Sequence, residues 1–272
     1  MPDYEVSITC KDLADKDLFS KSDPVLILLE NVPNSKRFIE VGKTELIKDC
    51  LNPQFSRKFR LSAAQDQNPK LRVAVVDIDN FEDVEKIADQ EFIGRADFHL
   101  SDLVTSPVFT ASLGRDCGLV TLKTSPYDAR LDGLVSMEIG SGSDPDGLLK
   151  GGSNFLEIHR ADHAATLADV GRVCSSAYSL AHRTDQLQGA DFRLADLSLF
   201  TLCRGDPHRL LRLECWRRGS RGSHRLLASG HTSLEELRQL AEAGGDGVEL
   251  ADQRGRTLRL TVRAVSVSPY KG

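Results

Sequence analysis

The residues best suited to chemistry are carboxylates, and they gather in two stretches of the first half. The first stretch, Asp12 to Pro24, holds Asp12, Asp15, Asp17 and Asp23. The second, Asp77 to Gly94, holds Asp77, Asp79, Glu82, Asp83, Glu85, Asp89 and Glu91. Lysines are few in either stretch, so most of the charge has no local counterion. Clustered carboxylates on irregular backbone suit a hard divalent cation, because calcium takes six to eight oxygens and tolerates uneven geometry. Asp77 and Asp79 lie two apart, so at a strand end both point the same way. Leu18, Phe19 and Phe81 stand among the acids, and apolar residues at loop tips can enter a membrane interface once charge repulsion is removed.

Loops need strands to hold them. Short strand-like runs flank both acidic stretches: Glu5 to Thr9, Val25 to Leu29, Arg37 to Val41, Gln54 to Arg60, Leu71 to Val76, Phe92 to Asp97 and Leu119 to Lys123. Pro, Asn, Gly and Asp punctuate them, which predicts an antiparallel sandwich. A helical turn is expected near Ser101. The pattern restarts with Leu134 to Ile139, Phe155 to His159, Ser176 to Gln186, Arg193 to Leu199, Leu210 to Trp216, Arg225 to Gly230 and Leu258 to Val267. A helix over Leu234 to Glu242 is predicted by a capping box, Ser233 with Glu236, and a stop at Gly244. The join falls at a short polar link, Ser125 to Asp128, giving an all-β chain with domains 1–126 and 127–272.

Composition narrows the function classes. The chain has 272 residues and a net charge of −5. Up to Pro126 it carries 21 acids and 16 bases, and from Tyr127 it carries 19 of each. The bases change type as well, from ten Lys and six Arg to two Lys and seventeen Arg. No apolar run reaches the ~18 residues of a spanning helix. The N-terminus does not read as a secretory signal, and Pro2 is expected to exclude myristoylation. Six cysteines lack metal-ligand spacing and read as reduced thiols in the cytosol. No nucleophile elbow, Walker loop or dinucleotide fingerprint occurs, so enzymatic activity is not expected. With aromatics at 6% and one Trp, neither is nucleic-acid binding.

The residues also carry a family resemblance. Asp17 and Asp23 six apart, Ser22-Asp23-Pro24, Asp77-x-Asp79 and the acid before Phe92-Ile93-Gly94 resemble the calcium loops of a C2 domain. Leu13 to Pro24, Lys43-Thr44-Glu45-Leu46-Ile47-Lys48 and Leu51-Asn52-Pro53-Gln54-Phe55 resemble the first C2 domain of the copines. His182-Arg183-Thr184-Asp185 and Gly255 to Leu260 resemble strands of a copine's second domain. The resemblance implies two tandem C2-type eight-stranded antiparallel β-sandwiches, with a short helix in the second. It implies Ca2+ held by Asp17, Asp23, Asp77 and Asp79, completed by Asp89 or Glu91. Glu91 departs from the usual Asp and reaches one carbon further. Copines continue into a von Willebrand factor A-like domain where this sequence stops, so the chain reads as a truncated copine, a fragment or a stand-alone relative. The implied activity is calcium-dependent association with anionic, phosphatidylserine-like phospholipid, by a cytoplasmic protein recruited to the plasma membrane or other anionic membranes. Physical logic agrees: an acidic mouth repels an anionic surface until calcium reverses its sign.

The second half departs from that pattern. Ser153-Asn154 stands where Asp-Pro would precede the strand, and Ser143-Asp144-Pro145 lies too early to serve. In the later loop, Cys215 to Leu227, Arg217, Gly219 and Arg225 stand where three Asp would be, so this loop is expected not to bind calcium. Arg217, Arg218, Arg221 and Arg225 form a candidate basic patch for phosphates or an acidic partner. The competing expectation is a calcium-independent adaptor in which both domains bind protein partners.

Overall fold

The computed structural model describes residues 3–15, 21–62, 68–78, 90–184, 191–219, 223–244 and 247–269. Residues 3–127 form one compact unit, and residues 128–219 with 223–269 form the other.

In the first unit the strands are β1 (Asp3–Lys11), β2 (Pro24–Asn31), β3 (Phe38–Lys43), β4 (Phe59–Ser62), β5 (Lys70–Asp77), β6 (Glu91–His99), β7 (Val108–Ser112) and β8 (Leu119–Tyr127). A short helix, α1 (Leu100–Thr105), follows β6 where a helical turn is expected. The strands make two four-stranded antiparallel sheets, ordered β4-β1-β8-β7 and β3-β2-β5-β6. Alternation places Val6, Ile8 and Cys10 of β1 in the core, with Leu26 and Leu28 of β2, Val73 and Val75 of β5, and Val120 and Leu122 of β8. The continuous apolar run of β2 has its own reason. Val25 and Ile27 pack on the opposite face with Val76 and Ile78, so β2 is buried on both sides.

The second unit repeats the scheme. Its strands are β9 (Gly133–Ser141), β10 (Asn154–Ala161), β11 (Tyr178–Arg183), β12 (Phe192–Ser198), β13 (Leu211–Arg217), β14 (Arg225–Thr232), β15 (Gly247–Ala251) and β16 (Thr257–Pro269). Two helices, α2 (Leu199–Cys203) and α3 (Leu234–Glu242), lie between strands. The order is β11-β10-β13-β14-β15-β16-β9-β12. Adding eight to each strand number of the first unit reproduces this order, with one extra bridge, Ser229 to Ala251, joining the two halves. Local details repeat too. Leu26 N–H donates to Thr44 Oγ1 at 2.9 Å, and Leu156 N–H donates to Thr184 Oγ1 at 2.9 Å. Bulges interrupt the ladders after Leu28 and Val75 in the first unit, and after Ile158 and Cys215 in the second. The chain is therefore all-β, two eight-stranded antiparallel sandwiches in sequence.

Several expected elements shift. Gln54 forms an isolated bridge to Thr9 instead of a ladder, and the strand there starts at Phe59. Pro53 carbonyl and Phe55 N–H hydrogen-bond β1 without extending the ladder. The expected link at Ser125 is strand up to Tyr127, which pairs with Asp3. The strand expected through Leu199 stops at Ser198, whose hydroxyl accepts the Thr201 N–H and caps α2. Ser233 caps α3 through the Glu236 N–H, but the Glu236 carboxylate accepts from the Thr232 hydroxyl at 2.8 Å rather than closing a box. The strands β7 and β15 have no counterpart in the sequence reading.

Candidate metal centre

The loops β1–β2 and β5–β6 open at the same end of the first unit. Pro24 sits opposite Asp77 in the β2–β5 ladder, and Asp77 sits opposite Glu91 in the β5–β6 ladder. That register sets the backbones of Asp23, Asp77 and Glu91 side by side. Asp23 N–H donates to Asp77 Oδ1 at 2.6 Å, and Ile78 N–H donates to the Asp23 carbonyl at 3.2 Å. Asp23 Oδ1 accepts from Asp49 N–H at 2.6 Å. Asp77 is fully buried, and its Oδ2 has no hydrogen-bond partner among the described residues. Glu91 is exposed at the rim.

The motif residues around these acids are the frame that holds them. Ser22 is fully buried, and its hydroxyl donates to the Ala14 carbonyl, closing the base of the first loop. Asp12 adopts a left-handed φ of 54°, and its N–H donates to Asn52 Oδ1 at 2.9 Å. Leu13 N–H donates to the Leu51 carbonyl, which seats the buried Leu13 side chain. Glu45 accepts from the N–H groups of Ser56 and Arg57. Gly94 is required by close approach, since a Cβ there would lie 2.6 Å from the Leu113 carbonyl.

The electrostatics suit a cation. Burial pushes the Asp23 carboxyl up from its ordinary range; the Asp49 N–H bond and Lys48 oppose this, and the Asp49 and Asp77 charges add to it. A buried carboxylate oxygen with no donor is a costly group that a cation satisfies. Asp23 and Asp77 thus fit a hard, oxygen-seeking ion, with Glu91 at the rim. Asp17, Asp79 and Asp89, with Leu18, Phe19 and Phe81, lie outside the described residues.

The matching place in the second unit is closed by a side chain. Asn154 sits opposite Arg217 in the β10–β13 ladder, as Pro24 sits opposite Asp77. Arg218 N–H donates to the Ser153 carbonyl, as Ile78 does to Asp23. Arg217 therefore stands at the position of Asp77. Its guanidinium donates to the Leu148 carbonyl at 2.7 Å, the Lys150 carbonyl at 2.8 Å and Asn154 Oδ1 at 3.4 Å. A fixed cation supplied by the chain holds this loop. Asp144 turns inward, accepting from the N–H groups of Leu148 and Leu149. Two of the arginines expected as a patch, Arg217 and Arg225, are partners across the β13–β14 ladder. Arg217 is committed to loop carbonyls, Arg225 is exposed opposite it, and Arg221 lies outside the described residues.

Comparison with known proteins identifies the first unit: the C2 domain family matches residues 5–113. The chain contains a C2 domain. Asp23, Asp77 and Glu91 lie at one end of that C2 domain. Nicotinic receptor-associated protein 1 of Caenorhabditis briggsae is 25% identical over 292 residues, covering 90% of this chain and 44% of that protein. The chain thus spans less than half the length of that relative. Among solved structures, BON1-C2B is 27% identical over 47% of this chain and 92% of its own, with a TM-score of 0.35. The calcium-bound tandem C2 domains of Extended-Synaptotagmin 2 are 12% identical over 99% of this chain and 98% of theirs, with a TM-score of 0.37.

One rim residue escapes sequence reading. Phe92 of the C2 domain is 52% exposed beside Glu91. The bulge at Val75 and Val76 turns Phe92 outward.

Proposed function

We propose that the protein is a copine-like, calcium-dependent binder of anionic phospholipid, acting through its first C2 domain. The observation that carries this reading is the buried, donor-less Oδ2 of Asp77 beside Asp23. Bound calcium supplies positive charge that lipid phosphates can share. Asp23 and Asp77 are held for that ion by the ladder register and by the Asp49 N–H. Asp17, Asp79 and Asp89 or Glu91 complete the oxygen set. Leu18, Phe19 and Phe81 enter the interface, and the exposed Phe92 joins them at the rim. The second unit works without calcium, because Arg217 supplies its own cation. The protein is cytoplasmic, moves to anionic membranes when calcium rises, and catalyses no reaction.

Co-sedimentation of the full chain with phosphatidylserine vesicles tests this reading. Pelleting is expected with calcium, is lost in chelator, and is lost in Asp23→Asn at any calcium level. Equal pelleting with and without calcium supports the adaptor alternative and sinks the sensor.

A further inference from the structure

A second candidate centre lies in the second unit. Glu157 and Glu214 sit directly opposite each other in the β10–β13 ladder. His159 lies two residues along β10 from Glu157, on the same face. All three are nearly buried, at 6%, 7% and 6% exposed for Glu157, His159 and Glu214. His159 Nε2 is 2.9 Å from Glu157 Oε2 and 3.1 Å from Glu214 Oε2. The three ligand atoms lie within 4.8 Å of one another.

The way the other atoms are engaged marks this as a built site. Arg183 Nε donates to Glu157 Oε1 at 2.7 Å, and Arg212 Nε lies 2.8 Å from Glu214 Oε1. Glu157 Oε1 is held by a hydrogen bond and Glu214 Oε1 by an ion pair, and each carboxylate presents its Oε2 to the same imidazole nitrogen. Trp216 Nε1–H donates to Glu214 Oε2 at 3.1 Å and fixes it further. Trp216 in turn stacks on Phe155 at 6.4 Å between centroids. One imidazole nitrogen carries at most one hydrogen, yet it faces two carboxylate oxygens. A divalent cation uses all three lone pairs at once.

We propose that Glu157, His159 and Glu214 form a binding site for a divalent transition ion of the zinc class. Imidazole nitrogen with two carboxylate oxygens suits zinc, cobalt or nickel, whereas calcium requires six to eight oxygens. Three protein ligands leave a coordination position open, as in zinc sites that keep water. Arg183, Arg212 and Trp216 are the outer partners that orient the ligating oxygens. The two guanidiniums offset the carboxylate charge, so the ion is exchangeable rather than a requirement for folding.

Trp216 is the single tryptophan of the chain, so its emission reports this place alone. The full chain is titrated with Co2+, a paramagnetic quencher, and then with Zn2+ or Ca2+. The expected result is saturable quenching at one equivalent, reversed by Zn2+ and not by Ca2+. His159→Gln and Glu214→Gln should each weaken the quench at least tenfold. A variant that fails to fold is replaced by imidazole NMR of the wild-type chain, in which one equivalent of Zn2+ must shift His159. No saturable quench, an equal quench in folded His159→Gln, or an unshifted His159 overturns the proposal.

Discussion

Replacing Asp77 by Asn separates the cost of an empty cation site from the gain of filling it. Without an ion, Asp77 is fully buried, with one oxygen bonded to the Asp23 N–H and the other bonded to nothing described. A buried unsatisfied polar group costs about 1–3 kcal/mol, and more when charged. Asn keeps the volume and the acceptor for Asp23, and it removes one of the charges that raise the Asp23 carboxyl. Its amide leaves a neutral unsatisfied donor, so the net relief in chelator is about 0–2 kcal/mol. For a unit of this size, 1 kcal/mol moves Tm by about 3–5 °C. Calcium at a hundred times its Kd stabilises the wild-type unit by about 2.7 kcal/mol, and Asp77→Asn should lose most of that. Differential scanning calorimetry in chelator and in saturating calcium reads both effects. The variant should melt at or slightly above wild type without calcium and well below it with calcium. A variant that melts more than about 5 °C lower in chelator, yet gains as much from calcium as wild type, refutes the reasoning.

Other outcomes follow from the same geometry. Arg217→Met strips the donor from the Leu148 and Lys150 carbonyls; it should cost the second unit about 2–3 kcal/mol, read from Trp216 emission during urea unfolding and unaffected by calcium. Gly94→Ala drives a Cβ to 2.6 Å from the Leu113 carbonyl and should cost about 1–3 kcal/mol, seen as a lower urea midpoint. The Arg72 guanidinium, helped by Lys70, holds the Asp97 carboxyl well below the usual carboxylate range. A depressed folded pKa stabilises above the unfolded value of about 3.9 and fades as pH falls below it. Asp97→Asn should therefore cost about 1 kcal/mol or less at pH 7, after solvent screening. That cost should shrink progressively below pH ~4, in paired thermal melts. A hydrogen bond with the Ser176 hydroxyl lowers the exposed Cys174 thiol, while burial pushes Cys10 and Cys215 up to about 12. Ellman's reagent should modify Cys174 first in the native protein and reach Cys10 and Cys215 only on unfolding.

The parts of the fold legible in sequence are those where one physical signal dominates. The apolar run of β2 and the alternation of β1 report burial directly. Strands that rely on partners rather than pattern were hidden. The edge strand β7 is mostly exposed or half-buried, and β15 has only Val248 and Leu250 facing inward. The segment at Gln54 reads as strand but is held by two backbone hydrogen bonds to β1 and by the Glu45 and Asn52 side chains, without a full ladder. In the site, Asp23 and Asp77 are legible because acids flanked by strands have few other reasons to cluster. The role of Arg217 was half legible: the missing Asp was visible, but not the guanidinium's turn toward loop carbonyls. The Glu157, His159 and Glu214 constellation was invisible, because its members lie 57 residues apart along the chain, from Glu157 to Glu214, and meet only through the β10–β13 register.

The calcium affinity of the full chain, measured with and without phosphatidylserine vesicles, tests the central claim most directly. If lipid phosphates share the ion held by Asp23 and Asp77, each ligand must tighten the other by the same factor. The account predicts calcium binding at least tenfold tighter on vesicles, abolished in Asp77→Asn. Calcium affinity unchanged by vesicles contradicts it.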